Sequence, residues 1–176
     1  MPISKINPKK KFDAAVWLIS IVNTGDKLTG HALLVIEGIQ YSHTTHQKLF
    51  VGQYDIVAKM DKTDPSMLNK KGYIASIRIF EQGRYGRQYE HFPSKTYSID
   101  PIDAKLIIRS IKEDHVLCQQ AAKGEIEYPK FQLVGDKHLF SKIGMGDNCA
   151  SWCMKKLKAG GITIDALMSK PKKLVK

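Results

Sequence analysis

A cysteine at the predicted start of a helix is the strongest candidate for chemistry in this sequence. Cys149 directly follows Asp147 and Asn148, two residue types that cap helix N-termini. The unpaired amides and the dipole of a helix start favour a thiolate, and they stabilise the oxyanion of a tetrahedral intermediate. Cys149 is therefore a candidate nucleophile. The alternative is a buried structural thiol, because Cys153 lies four residues further on and faces the same side of the helix.

Two histidines, twelve residues apart, are the candidate partners of this thiol. His31 opens one predicted strand and His43 lies near the end of the next, with Glu37 and Gly38 between the two strands. A three-residue hairpin loop with Gly38 in the left-handed conformation places His31 opposite His43 on one face of the sheet. One ring then orients the other, which takes the proton from the thiol. A two-residue turn instead places the two rings on opposite faces.

Other kinds of site have less support. Cys149, Cys153 and one histidine make only a partial zinc site, and the sequence contains no paired C-x-x-C and no H-E-x-x-H. Walker-type phosphate loops, dinucleotide glycine fingerprints and the G-x-S-x-G motif are also absent. We therefore expect neither a metal nor a cofactor, and neither nucleotide-dependent nor serine-esterase chemistry.

Short segments rich in β-branched and aromatic residues predict the strands that position the histidines. The strongest are Ala14–Asn23, His31–Ile36 and Ile39–Thr44, and the weaker ones are Leu49–Met60, Gly72–Glu81 and Tyr128–Val134. The short connections between them favour a mostly antiparallel sheet.

Two helices are predicted after most of the strands. The first begins at Asp100–Pro101, where the Asp side chain accepts hydrogen bonds from orphan amides, and it runs to about Lys123. The second begins at Asp147–Asn148 and ends at Gly160–Gly161. Strands in one block, with helices set apart, predict an α+β fold in which the sheet packs on the helices.

The length of 176 residues and the 43% hydrophobic content suit one domain. We predict a basic flexible arm at Met1–Lys11, a single catalytic-type domain at Phe12–Met168 and a basic tail at Ser169–Lys176. The longest apolar run, Ala14–Val22, is too short for a membrane helix, and no small-residue cleavage site follows it. The three cysteines form no even disulfide framework. These features predict a cytoplasmic chain, or a secreted effector exported without a cleavable signal peptide, with no transmembrane segment.

The net charge of +11, from 28 basic and 17 acidic residues, favours acidic partners. An anionic membrane surface or an acidic protein fits this charge, with the lysines of the tail as an anchor. A solvated, lysine-rich surface explains the charge equally well. Only four of the basic residues are arginines, and arginine is the residue that reads bases through a bidentate fork. We therefore expect no sequence-specific DNA recognition.

Taken together, three motifs resemble the circularly permuted papain-like clan, which includes NlpC-like amidases and lecithin:retinol acyltransferase-like (LRAT-like) enzymes. The motifs are Gly30–Gly38 (GHALLVIEG), then His43 and, far downstream, Asn148–Trp152 (NCASW). In the acyltransferase-like branch a His opens a strand, a second His follows twelve positions later, and an Asn-Cys pair begins a helix near the end. The resemblance extends over roughly Thr29–Ile162 as scattered motifs.

The resemblance implies a permuted papain-like fold in which Cys149 is the nucleophile, His31 the general base and His43 the residue that orients His31. It implies a cysteine-dependent hydrolase or acyltransferase that acts through an acyl-thioester on an amide or ester substrate, such as a peptide, an isopeptide or a lipid. The sequence departs from the acyltransferase-like branch at Ala150–Trp152, where that branch usually has Glu-His-Phe. This departure bears on the lipid substrate rather than on the thiol mechanism.

Two alternatives stay open. The first is a non-catalytic basic module that binds RNA or anionic lipid through aromatic residues on one face of its sheet. The candidates for that face are Tyr41, Phe50, Tyr54 and Phe80. The second alternative is an inactive papain-like domain that serves in protein interactions.

Overall fold

An antiparallel sheet of five strands forms the centre of the computed structural model, which describes residues 14, 16–24, 31–41, 46–59, 74–81, 91–125, 149–164 and 175. In chain order the strands are β1 (Val16–Asn23), β2 (Ala32–Tyr41), β3 (His46–Lys59), β4 (Ile74–Glu81) and β5 (Ser94–Ile99). They lie in the order β4-β3-β2-β1-β5, and each neighbouring pair is antiparallel.

Two helices in the described part of the chain accompany this sheet, so the fold is α+β, as predicted. They are α1 (Pro101–Ala122) and α2 (Cys149–Ala159). Gly124 and Gly161 lie just beyond their C-termini with φ angles of 74° and 81°. Glycine adopts this left-handed conformation without steric cost, which explains why the helices end where the sequence predicts. Neither helix is long and apolar enough to cross a membrane.

The start of α1 differs from the prediction in one detail. Asp100 occupies the N-cap position with an extended backbone, but its side chain makes no capping hydrogen bond. Its carbonyl oxygen accepts the first helical bond from the Ala104 amide at 2.9 Å. Because Asp100 is exposed, solvent is able to satisfy the remaining amides of the first turn.

One face of the sheet carries the core. Alternate residues of the strands point to this face and pack with the buried side chains of both helices. The largest core side chains are Trp17, Ile19, Ile21, Leu34, Ile36, Phe50, Tyr54, Ile56, Ile107, Ile111, Trp152 and Leu157. On the opposite face a smaller buried cluster consists of Val22, Leu33, Val35 and Val51.

β2 continues through Glu37 and Gly38, so the hairpin turn predicted at these residues is wrong. Gly38 is paired within the sheet, opposite Trp17 of β1. A Cβ added at Gly38 would lie 3.0 Å from the Cβ of Ala14 and 3.0 Å from the Trp17 ring. This glycine therefore permits an indole ring to pack closely on the strand, and it makes no turn.

β5 is an edge strand that the sequence does not predict. Its residues are mostly exposed, and only Tyr97 and Ile99 are partly buried against the core. A strand with so little apolar alternation carries almost no hydrophobic signal.

Two predicted segments lie wholly outside the described residues. They are the strand Tyr128–Val134 and the arm Met1–Lys11, which therefore stay predictions. Within the predicted tail Ser169–Lys176, the described residue is Val175, which is half-buried against the core.

The four aromatic residues that were candidates for a binding surface do not lie on one face of the sheet. Phe50 and Tyr54 are 1% and 0% exposed and belong to the core, whereas Tyr41 and Phe80 are 49% and 42% exposed. Tyr54 pairs with Ile79 of β4, so the next residue, Phe80, points to the opposite face of the sheet. These residues therefore form no common aromatic surface for RNA or lipid.

A buried tyrosine joins β3, β4 and α1. The Tyr54 hydroxyl donates to Glu81 Oε1 at 3.0 Å, and Lys112 Nζ of α1 lies 3.0 Å from the same oxygen. Burial raises the pKa of Tyr54 far above its ordinary value, so the hydroxyl keeps its proton. Gly52 leaves room for this ring, because an added Cβ would lie 2.3 Å from the hydroxyl oxygen.

We expect Gly52→Ala to lower the free energy of unfolding by about 1–3 kcal/mol, because the methyl group must displace a buried, hydrogen-bonded ring. Urea denaturation measures the loss. Ser98→Ala, at an exposed position of β5, is the control and should change stability by less than about 0.5 kcal/mol. Equal stabilities for the two variants would contradict the close approach of Tyr54 to position 52.

Candidate active site

Cys149 is the first residue of α2, at the boundary between the core and the surface. The side chain is half-buried and packs against the core cluster. The inner side of the same helix is anchored by Ala150, Trp152 and Leu157, which are buried. Cys153, one turn further on, is also fully buried. Of these two thiols, Cys149 is therefore the one that a substrate can reach.

Polar contacts hold α2 against α1. Trp152 Nε1 donates to Asp114 Oδ2 at 2.9 Å. Lys156 Nζ donates to Ser110 Oγ at 2.7 Å and forms an ion pair with Asp114. Lys156 is only 7% exposed, and these partners compensate its buried charge. They fix α2, and with it Cys149, relative to the neighbouring helix.

His31 directly precedes β2, and its backbone is bound to the end of β1. The His31 amide donates to Asn23 Oδ1 at 3.1 Å, and the His31 carbonyl accepts from the Thr24 amide at 2.8 Å. These two bonds set the position from which the ring projects. The imidazole is about three-quarters buried, with 28% of the side chain exposed.

The His31 ring is oriented by Asp55, a buried carboxylate of β3. His31 Nε2 lies 2.7 Å from Asp55 Oδ2, and the Asp55 side chain is 1% exposed. Arg78 of β4 stands directly opposite Asp55 in the sheet. Its Nε donates to Asp55 Oδ1 at 2.8 Å, and its terminal nitrogen binds Oδ2. Arg78 thus holds the carboxylate through a bidentate fork.

Cys149 is a second hydrogen-bond partner of the His31 ring. Burial lowers the pKa of His31, but hydrogen bonds to Asp55 and to Cys149 outweigh it and raise the pKa to about 9. Burial alone would raise the pKa of Asp55. Hydrogen bonds from Arg78 and His31 have the larger effect and lower this pKa below its ordinary value. At neutral pH the His31 ring is therefore an imidazolium, with Asp55 and Cys149 as its hydrogen-bond partners.

The other two cysteines are in environments that suppress reactivity. Burial raises the pKa of Cys118 to about 11. Burial also raises the pKa of Cys153 well above its ordinary value. Because the thiolate is the reactive form, both residues are expected to be inert structural thiols.

Two of the three predicted site residues, Cys149 and His31, are brought together. His43 lies outside the described residues, so its role stays a prediction, although the turn that was to place it opposite His31 does not form. In the described part of the chain the partner of His31 Nε2 is Asp55. Asp55 and Arg78 are site residues that the sequence did not predict. The available signal was an acidic residue between Tyr54 and Ile56 in an apolar strand, where Asp is disfavoured.

No group of three or more His, Cys, Asp or Glu residues within the described ranges is placed to hold a metal ion. We compared the chain with protein-family models, with curated proteins and with solved structures, and none of them matches. The geometry of Cys149, His31, Asp55 and Arg78 is therefore the basis for proposing a function.

We expect the NMR titration of the His31 ring to have its midpoint near pH 9 and to move to lower pH in Asp55→Asn, which removes the carboxylate charge. A midpoint that is the same in both proteins would contradict the pairing of His31 with Asp55.

The raised pKa of His31 makes the free energy of unfolding depend on pH. The folded protein holds the His31 proton more tightly than the unfolded chain does, where the pKa is about 6.5. The stabilisation by His31 is therefore complete below about pH 6.5 and is lost as the pH rises through about 9. Urea denaturation across this range should show this loss in the parent protein. The loss should be absent in His31→Gln, and equal pH profiles for the two proteins would contradict the raised pKa.

Proposed function

We propose that this protein is a cysteine-dependent hydrolase or acyltransferase, with Cys149 as the nucleophile and His31 as the group that exchanges its proton. The observation that carries the proposal is the position of the His31 ring, which contacts Asp55 through Nε2 and lies beside Cys149. A nucleophile, a base and a group that orients the base are the three parts of a thiol active site.

The first step starts from an ion pair, in which Cys149 has given its proton to His31 and the ring is an imidazolium. The raised pKa of His31 favours the ring as the holder of this proton at neutral pH. The sulfur then attacks the carbonyl carbon of an ester or amide, and a carbon–sulfur bond forms. As the tetrahedral intermediate collapses, the bond to the leaving group breaks and the imidazolium donates its proton to the departing oxygen or nitrogen. The product is an acyl-thioester on Cys149.

In the second step His31 takes a proton from water, an alcohol or an amine, which attacks the thioester and releases the Cys149 thiolate. Water gives hydrolysis, and an alcohol or amine gives acyl transfer. During both attacks the negative charge develops on the former carbonyl oxygen. The first turn of α2 offers amides that have no partner within the helix, at the end where the helix dipole is positive. These amides are the donors that we assign to that oxygen.

The permuted papain-like architecture expected from the sequence belongs to the same proposal. It is supported by the chain order, in which a His precedes a central strand of an antiparallel sheet and a Cys begins a helix packed on that sheet. In this chain we assign the third position of the site to Asp55, since it contacts the His31 ring. The substrate class is an amide or ester, including peptide, isopeptide and lipid acyl groups.

We expect iodoacetamide to alkylate Cys149 much faster than Cys118 or Cys153, with a rate that persists below about pH 7. His31→Ala should lower the Cys149 rate at this pH at least about tenfold, because the ring no longer accepts the thiol proton. Peptide mass spectrometry after timed alkylation resolves the three sites within one sample, so the two buried thiols serve as internal controls. If the three sites have one common rate, or if His31→Ala leaves the Cys149 rate unchanged, the proposed function is wrong.

The contribution of Arg78 is tested with a matched pair of variants. Arg78→Met should lower the alkylation rate of Cys149 by about three- to tenfold, because it removes charged hydrogen bonds to the carboxylate that orients His31. Lys48→Met is the control, since Lys48 pairs with Glu37 on the same sheet and is 45% exposed, compared with 47% for Arg78. Equal rates in the two variants would show that Arg78 has no part in orienting the site.

A further inference from the structure

The outer face of α1 carries an unusual share of exposed apolar side chains. Seven large hydrophobic residues of the described chain are exposed, and four of them lie on this helix. These four are Ile102 at 71%, Leu106 at 47%, Val116 at 50% and Leu117 at 38%. Isolated exposed apolar residues need no explanation, but four on one side of a single helix indicate a contact surface.

Five residues of this face follow the spacing by which helices pack against one another. Ile102, Leu106, Arg109, Glu113 and Val116 are separated alternately by four and three positions, and Gln120 continues the row. An average spacing of 3.5 residues keeps a row on one side of a helix and is the repeat of coiled coils. We call these six residues the outer stripe. The buried residues Ile107 and Ile111 lie on the inner side of α1.

The charges at the centre of the outer stripe determine which partner fits it. Arg109 Nε lies 3.0 Å from Glu113 Oε1 within the same helix, and the two side chains are 79% and 62% exposed. A parallel second copy of α1 would place like charges opposite each other. An antiparallel copy, centred on position 111, places Arg109 opposite Glu113 of the other copy. These two residues are therefore self-complementary in the antiparallel arrangement alone.

The apolar positions agree with the same arrangement. When the copies are centred on position 111, Leu106 faces Val116 and Ile102 faces Gln120. Leu–Val layers then lie on both sides of the central charged layers, as in the seam of an antiparallel helix pair. We infer that α1 is a self-association surface, which binds α1 of a second copy of this chain in the antiparallel direction about a two-fold axis.

The association is expected to be weak. A helix of 22 residues is about 33 Å long, and a single pair of such helices buries an area at the lower end of specific interfaces. The net charge of +11 on each copy also opposes association. The protein should therefore be a monomer when dilute and form a dimer as its concentration rises.

Sedimentation equilibrium of the full chain over a range of concentrations measures this association. We expect Arg109→Glu and Glu113→Arg each to weaken dimerisation at least about tenfold, because each variant places like charges across the two-fold axis. The double variant Arg109→Glu/Glu113→Arg exchanges the charges and should restore the parent affinity. It also keeps an ion pair four residues apart within α1, so the helix itself is not weakened.

A second pair of variants separates the apolar contact from general surface hydrophobicity. Leu106→Ser should weaken the dimer, whereas Tyr41→Ser, at an equally exposed position on β2, should not. A parent protein that stays monomeric at all concentrations would overturn the inference. A dimer that tolerates both single charge variants, or one that the double variant fails to restore, would overturn it equally.

Discussion

The buried carboxylate of Asp55 is the charge on which the candidate site depends. An ionised carboxylate out of contact with water is strongly unfavourable unless it is paired and hydrogen-bonded. Here Arg78 and His31 supply that compensation from two different elements, so the carboxylate, the guanidinium and the ring have to be placed together. The pairing of β3 with β4 provides this placement, since Asp55 and Arg78 stand opposite each other. A slip of one residue in that pairing would turn Arg78 to the other face and leave the carboxylate with one partner fewer.

The sheet and the helices contribute different parts of the site. The sheet supplies the charged pair and the imidazole, which β1 holds through the backbone of His31. The thiol comes from α2, a helix whose position is fixed by apolar packing on the sheet and by the contacts of Trp152 and Lys156 with α1. Because His31 contacts both Asp55 and Cys149, the ring is where these two parts meet. These two contacts raise the pKa of His31 to about 9.

The sequence predicts those parts of the fold that depend on residues close together along the chain. Pro101 marks the start of α1, and Gly124 and Gly161 mark the ends of α1 and α2. These residues act through the conformation of their own backbone. Cys149 and His31 are predicted from the sequence because each stands at the recognisable start of a helix or strand. Gly38 was misread as a turn residue, since a glycine needed for contact with Trp17, on another strand, looks the same in sequence as a glycine needed for a turn. Asp55 and Arg78 are 23 positions apart and come together only through strand pairing, which no local pattern specifies.

The measurement that tests the account most directly is the NMR titration of the His31 ring in the parent protein and in Cys149→Ala. Hydrogen bonding and charge at Cys149 help to raise the pKa of His31 to about 9. If Cys149 lies beside the ring, the midpoint of the titration moves to lower pH in Cys149→Ala. If the midpoint is the same in both proteins, the pairing of Cys149 with His31 is contradicted.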